Sequence, residues 1–126
     1  MAKKEVLLIE DSEPLRKVLA EKLTDAGFVV VEGKNGEEGF ALAKEKKPVL
    51  ILTDVVMFPM DGIEMSRKIR AEGEWGRNVR IVVLTNSTGA RDRMKTDDLD
   101  LSAYLVKAET SLDEVVKMVQ FIMKDL

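Results

Sequence analysis

Four apolar runs in this chain end in residues that could do chemistry. Val6–Ile9 runs into Glu10-Asp11, Val49–Leu52 into Thr53-Asp54, Ile81–Leu84 into Thr85, and Ala103–Val106 into Lys107. Adjacent carboxylates repel each other and are expensive to bury. Glu10-Asp11 at the end of such a run therefore reads as a helix cap, a solvated turn or a cation site. Taken singly, each residue has a plain explanation. Acids favour the first turn of a helix, Asp54 and Asp61 suit turns, and Thr85 and Lys107 suit a strand end and a surface. Joint placement decides between the readings.

Composition narrows the chemistry. The chain holds no cysteine and no histidine. That excludes disulfides, thiolate nucleophiles and zinc–thiolate sites, and removes the commonest general base and transition-metal ligand. What remains is carboxylates, hydroxyls, lysines, or a hard cation held by oxygen. With 126 residues, the chain is expected to form one domain spanning 1–126. A composition 45% hydrophobic and 34% charged is that of a globular, soluble protein. A net charge of −3 lacks the basic stripe of a nucleic-acid surface. The cluster Lys44, Lys46 and Lys47, interrupted by Glu45, reads as a solvated helix end. The apolar run after the N-terminal MAKKEV is too short for a signal peptide, and none approaches the ~20 residues of a membrane span. A cytoplasmic location without membrane contact is the expectation.

The elements that must position these residues follow from the pattern. Five strands are expected, at Val6–Ile9, Phe28–Val31, Val49–Leu52, Ile81–Leu84 and Ala103–Val106. Pro14 suits a first helical turn, followed by Leu15, Val18, Leu19, Leu23 and Ala26 at helical spacing, with Gly27 as the stop. Asn35 with Glu38 reads as a cap with capping-box character, opening a helix to about Lys46 before Pro48. A third helix is expected from Gly62 to Glu72, with Ile63 and Ile69 inward. A weak fourth spans Thr88–Asp98, and a last runs from Ser111 to Lys124, burying Val115, Val119 and Ile122. Trp75 reads as a partly exposed loop aromatic. Alternating strands and helices predict an α/β fold, a doubly wound parallel sheet covered by helices on both faces. Five strands fit the flavodoxin-like order 2-1-3-4-5, with its crevice at the strand carboxyl ends.

In that geometry Glu10, Asp11, Asp54, Thr85 and Lys107 converge on one edge. Three clustered carboxylates call for a divalent cation, and oxygen ligands without histidine suit Mg²⁺. Lys107, the cation and Thr85 would neutralise a transferring phosphoryl group, where catalysis is mostly positioning and charge compensation. The nucleophile must be a carboxylate, and Asp54, central between the acids and the Thr85/Lys107 side, is the best placed.

The residues Glu10-Asp11, the segment DVVMFPMDG from Asp54 to Gly62, Thr85 closing IVVLT, and YLVK from Tyr104 to Lys107 together resemble a response-regulator receiver domain of two-component signalling, of the chemotaxis type. The resemblance covers Lys4 to about Lys124. It implies Asp54 as phosphoacceptor, with Glu10, Asp11, Asp54 and the Val56 backbone carbonyl as Mg²⁺ ligands. It implies Lys107 and Thr85 on the phosphoryl oxygens, and Tyr104 as an aromatic switch coupled to Thr85. The implied partners are a histidine kinase or phosphotransfer protein and an unidentified downstream protein, met on the surface of the fourth helix, fifth strand and last helix. Direct nucleic-acid contact by this domain is not implied, and a phosphorylation-dependent dimer is compatible with it. The implied activity is that of a signalling phosphoacceptor, not an enzyme acting on a separate substrate: only self-phosphorylation and self-dephosphorylation.

The chain departs from the family's pattern at several points. Glu10 replaces the more usual aspartate. Phe58 stands where the family's proline usually does, with Pro59 following, so the acceptor loop is expected to bend differently. Ala108 replaces the proline of a cis peptide, so Lys107–Ala108 is expected to be trans. Asn86 replaces a small residue and is expected to narrow the entrance. Val56 and Ser87, two beyond the acceptor and the threonine, give little purchase on an attacking water, so slow self-hydrolysis is expected. Val56 also weakens one rival: a Mg²⁺ phosphohydrolase with an aspartate nucleophile needs a second acid there. A partner-binding receiver without phosphorylation is disfavoured by Asp54, Thr85 and Lys107. A dinucleotide-binding domain is disfavoured because no G-x-G-x-x-G follows the first run.

Overall fold

The computed structural model describes residues 4–86 and 96–124. Five strands, β1 (Glu5–Ile9), β2 (Val29–Gly33), β3 (Leu50–Thr53), β4 (Arg80–Thr85) and β5 (Ala103–Val106), form one sheet in the order β2-β1-β3-β4-β5. Every pairing is parallel. The expected topology is present, and strand bounds move by at most two residues. In β1, β3 and β4 successive side chains go to opposite faces, and both faces are covered, which is why these strands read as unbroken apolar runs.

One face carries α1 (Glu13–Asp25) and the C-terminal helix α5 (Leu112–Met123). Leu19, Leu23, Val115 and Val119 pack there on Val6, Leu8, Leu50, Leu52, Val82 and Leu84. The other carries α2 (Gly36–Lys46), α3 (Gly62–Arg70) and the short α4 (Gly73–Asn78). Ala43, Met65 and Ile69 pack there on Leu7, Ile9, Ile51, Ile81 and Val83.

Local chemistry sets the helix ends. Ser12, Asn35, Asp61 and Ser111 each accept a backbone N–H in the first turn of a helix. Ser111 and Glu114 close a reciprocal capping box. The box expected at Asn35 is only half formed: Glu38 accepts from the Lys34 N–H at 3.3 Å rather than from Asn35. Gly27, with φ 101°, ends α1 as expected.

Three expectations need correction. In α1 the residue turned inward is Arg16, while Val18 is 43% exposed, so the stripe runs Arg16, Leu19, Ala20 and Leu23. The third helix stops at Arg70, and Met65, Ser66 and Ile69 fill its inner face while Ile63 is half-buried. Trp75 is not in a loop: it lies in α4, half-buried, its indole N–H donating to the Pro48 carbonyl at 3.1 Å. The expected helix at Thr88–Asp98 falls largely outside the described residues; within them, Asp97–Leu99 form a 3-10 turn.

Candidate functional site at the carboxyl edge of the sheet

The site is a consequence of strand register. Ile9 of β1 and Thr53 of β3 are paired, so the residues that follow, Glu10 and Asp54, leave the sheet side by side. Backbone bonds hold them there: the Asp54 N–H donates to the Ile9 carbonyl at 3.0 Å, and the Glu10 N–H to the Gly33 carbonyl at 3.1 Å. Glu10 is 2% exposed and Asp54 7% exposed, while Asp11 faces solvent. One carboxylate oxygen from each of Glu10, Asp11 and Asp54 lies within 4.8 Å of the others. Oxygen donors grouped this closely fit a hard divalent cation.

Lys107, directly after β5, reaches back across the edge. Its ammonium donates to Glu10 Oε1 at 2.8 Å and to Asp54 Oδ2 at 3.0 Å. The other Glu10 oxygen accepts the Ser12 N–H at 2.9 Å, and Asp54 Oδ1 accepts the Val55 N–H at 2.7 Å. Burial pushes the Glu10 carboxyl above the usual carboxylate range, with the Lys107 and Ser12 donors opposing it. Burial also pulls the Lys107 ammonium down, but the bonds to Glu10 and Asp54 together outweigh it and leave the group raised.

Thr85 ends β4 fully buried, paired with Val106. Tyr104 is paired with Val83, two residues before Thr85, and packs half-buried with the α2–α4 face. By strand alternation Thr85 and Tyr104 share that face. Val56, two residues beyond Asp54, is 66% exposed, and Phe58 is 85% exposed. Among the described residues the cis peptide bond is Phe58–Pro59, so Lys107–Ala108 is trans, as expected. Lys107 opens a 3-10 turn, Lys107–Glu109, and its ammonium still meets both acids. Asn86 is exposed at the end of β4, and Ser87 lies outside the described residues. Asp61 caps α3, accepting the Glu64 N–H at 2.7 Å. Thus Glu10, Asp11, Asp54 and Lys107 are brought together, with Thr85 and Tyr104 on the neighbouring strands.

Two features escaped the sequence reading. Gly62 opens α3 directly over Asp54: a Cβ there would stand 2.0 Å from the Asp54 carbonyl oxygen. Arg16 lies under the acidic pair, its guanidinium donating to the Glu10 carbonyl at 2.9 Å. Its signal in the sequence was a charge on the buried stripe of α1, three residues before Leu19 and seven before Leu23.

Comparison with known proteins places this site in a family. Residues 6–120 match the response regulator receiver domain. The chain is 30% identical over 107 residues to the probable transcriptional regulator ycf27 of Porphyridium aerugineum, covering 85% of this chain and 43% of that protein. It is 37% identical over 92 residues to the chemotaxis protein CheY of Halobacterium salinarum, covering 73% of each. Among solved structures, the Vibrio cholerae chemotaxis protein CheY4 superposes with a TM-score of 0.88 at 26% identity, covering 97% of this chain and 100% of that one. The chain belongs to the receiver domains of two-component response regulators. It spans under half the length of the first curated relatives it matches, between 40% and 45% for five of them.

Proposed function

We propose that this receiver is a phosphoacceptor in which Asp54 takes a phosphoryl group from the phosphohistidine of a histidine kinase or phosphotransfer protein. The observation that carries the reading is the Lys107 ammonium 3.0 Å from Asp54 Oδ2 beside a cluster of three carboxylates. An Asp54 oxygen forms the new P–O bond as the donor's P–N bond breaks, and the imidazole leaves. Lys107 and Thr85 hold the phosphoryl oxygens. Glu10, Asp11, Asp54 and the Val56 carbonyl would hold Mg²⁺, which when bound supplies further charge compensation for those oxygens.

The domain acts on no separate substrate; its chemistry is its own phosphorylation and dephosphorylation, in the cytoplasm. Thr85 and Tyr104, on one face of adjacent strands, are the switch pair that passes the phosphorylation state to the surface of β5 and α5, where a downstream protein binds.

The test is labelling with a small phosphodonor in Mg²⁺, followed by intact mass. The parent chain gains one phosphoryl group, whereas Asp54→Asn gains none and keeps its circular dichroism. Stoichiometric labelling of the folded variant removes Asp54 from the role.

A further inference from the structure

Arg16 is an unusual residue for its place. It is 4% exposed, on the face of α1 that packs against the sheet, where the helical period calls for an apolar side chain. A guanidinium is costly to bury, and ion pairs in such places are weak arguments for stability. Its partners suggest another reason for its presence.

One guanidinium nitrogen, Nη1, donates to the backbone carbonyl of Glu10 at 2.9 Å, and Nε donates to Glu32 Oε1 at 3.1 Å. Glu32 belongs to β2, where it pairs with Leu8 of β1. The carbonyl that Arg16 grips belongs to the peptide joining Glu10 to Asp11, so its orientation sets the direction in which both acids leave the backbone. The Glu10 N–H is already bound to the Gly33 carbonyl at 3.1 Å. Arg16 thus anchors the other end of the same residue. The fork geometry of a guanidinium allows the two bonds to be made at once; an ammonium has no such rigid fork.

We infer that Arg16, braced by Glu32, is a positioning residue that orients the Glu10–Asp11 peptide so that both carboxylates meet Asp54. The inference rests on the proposed reading of this cluster as a cation site. It adds a part to that site, contributed from the edge strand β2 and from α1, that touches neither cation nor phosphoryl group.

Electrostatics and positioning predict opposite signs, which makes the role testable. Removing a buried positive charge near three carboxylates should, by Coulomb's law alone, tighten cation binding. Losing the orientation of two ligands should weaken it, and outer-shell partners of metal ligands are worth about 10–100-fold in affinity. The experiment is calorimetric titration of Mg²⁺ into the full chain, with melting curves of each cation-free protein in parallel. Arg16→Lys keeps the charge and loses the fork; Arg16→Met loses both. Lys17→Met is the control, because Lys17 is an exposed neighbour 3.5 Å from the same Glu32 oxygen.

The expected result is Mg²⁺ binding about tenfold or more weaker in both Arg16 variants, with the control at parent affinity or slightly tighter. A folded Arg16→Lys protein that binds Mg²⁺ like the parent overturns the role of Arg16, as does an Arg16→Met protein that binds more tightly. If Arg16→Met does not fold, Arg16→Lys decides. A parent chain that takes up no Mg²⁺ overturns the cation site itself, and the inference falls with it. That outcome is distinct from a parent that binds and a variant that binds equally.

Discussion

Lys107 Nζ bridges Glu10 Oε1 at 2.8 Å and Asp54 Oδ2 at 3.0 Å, so one ammonium from the far side of the sheet compensates two buried acids. The length of Glu10 matters here. One of its oxygens meets Lys107 while the other stays on the Ser12 N–H at 2.9 Å.

Replacing Lys107 by methionine leaves those carboxylates facing each other without a counter-charge. Breaking a buried pair by removing one partner costs about 3–5 kcal/mol, and the partial exposure of Lys107 puts the loss at the lower end, about 3 kcal/mol. Without the ammonium, a divalent cation becomes the remaining source of compensation. The rise in melting temperature on adding Mg²⁺ should therefore be larger in Lys107→Met than in the parent. Melting curves with and without Mg²⁺ check both points; a cation-free variant as stable as the parent contradicts the first.

Gly62 is a second point of leverage on Asp54. A methyl group at this position would need the space of the Asp54 carbonyl, 2.0 Å from an ideal Cβ, with the Thr53 hydroxyl oxygen at 3.1 Å. Backbone cannot yield as a flexible side chain does, so Gly62→Ala should cost about 1–3 kcal/mol by overpacking and displace the acceptor. The expected reading is a lower denaturant midpoint together with slower labelling of Asp54 by a small phosphodonor. A parent-like midpoint and rate would show that the loop absorbs the methyl group.

The exposed pair Lys22–Asp113 joins α1 to α5 at 2.8 Å and gives a pH signature away from the site. Its hydrogen bond to Lys22 holds the Asp113 carboxyl below the ordinary range. A depressed acid contributes stability that is present above its unfolded pKa, about 3.9, and is lost as pH falls through the folded value. Its hydrogen bond to Asp113 raises the Lys22 ammonium. That contribution is present below the unfolded value of about 10.4 and is lost as pH rises through the folded one. A double-mutant cycle of Lys22→Met and Asp113→Asn should show coupling at neutral pH that shrinks with added salt and vanishes in strong acid. Coupling unchanged in strong acid would assign it to packing instead of charge.

The lifetime of the proposed phosphoprotein follows from Val56. Its side chain is 66% exposed beside the acceptor and offers no hydrogen bond to an attacking water. Phosphorylated protein, freed of donor in the presence of Mg²⁺, should decay slowly enough for hand mixing to follow. Val56→Asn should shorten the lifetime. Equal decay in both proteins would show that this position does not govern water access.

The strands and the acids were legible for one reason. In a parallel sheet covered on both faces, β1, β3 and β4 show as unbroken apolar runs, and the residue that follows each run is at the carboxyl edge. Position in the sequence therefore stood in for position in space. Arg16 is not legible in this way, because the neighbouring Val18 offers an apolar residue at helical spacing that competes for the inward place. The helix α4 was missed because GEWGRN is six residues with two glycines, too short and too poor in helix formers to show a period. What holds it lies outside the six residues: the Arg70 guanidinium, at the end of α3, donates to the carbonyls of Gly76 and Val79 and also to those of the distant Leu99 and Asp100. No local pattern announces one side chain gathering four carbonyls from two segments.

Trp75 is the sole tryptophan of the chain, and its indole is tied to Pro48, just ahead of β3. Asp54 follows the other end of that strand, about 20 Å away at roughly 3.3 Å of rise per residue. The ultraviolet emission of this protein therefore reports on the joint between α4 and the amino edge of the sheet. Fluorescence will follow unfolding of that layer well, while events at the acceptor pass in the dark. An optical assay of phosphorylation requires a second indole placed at the carboxyl edge, with Trp75 exchanged for phenylalanine to silence the background.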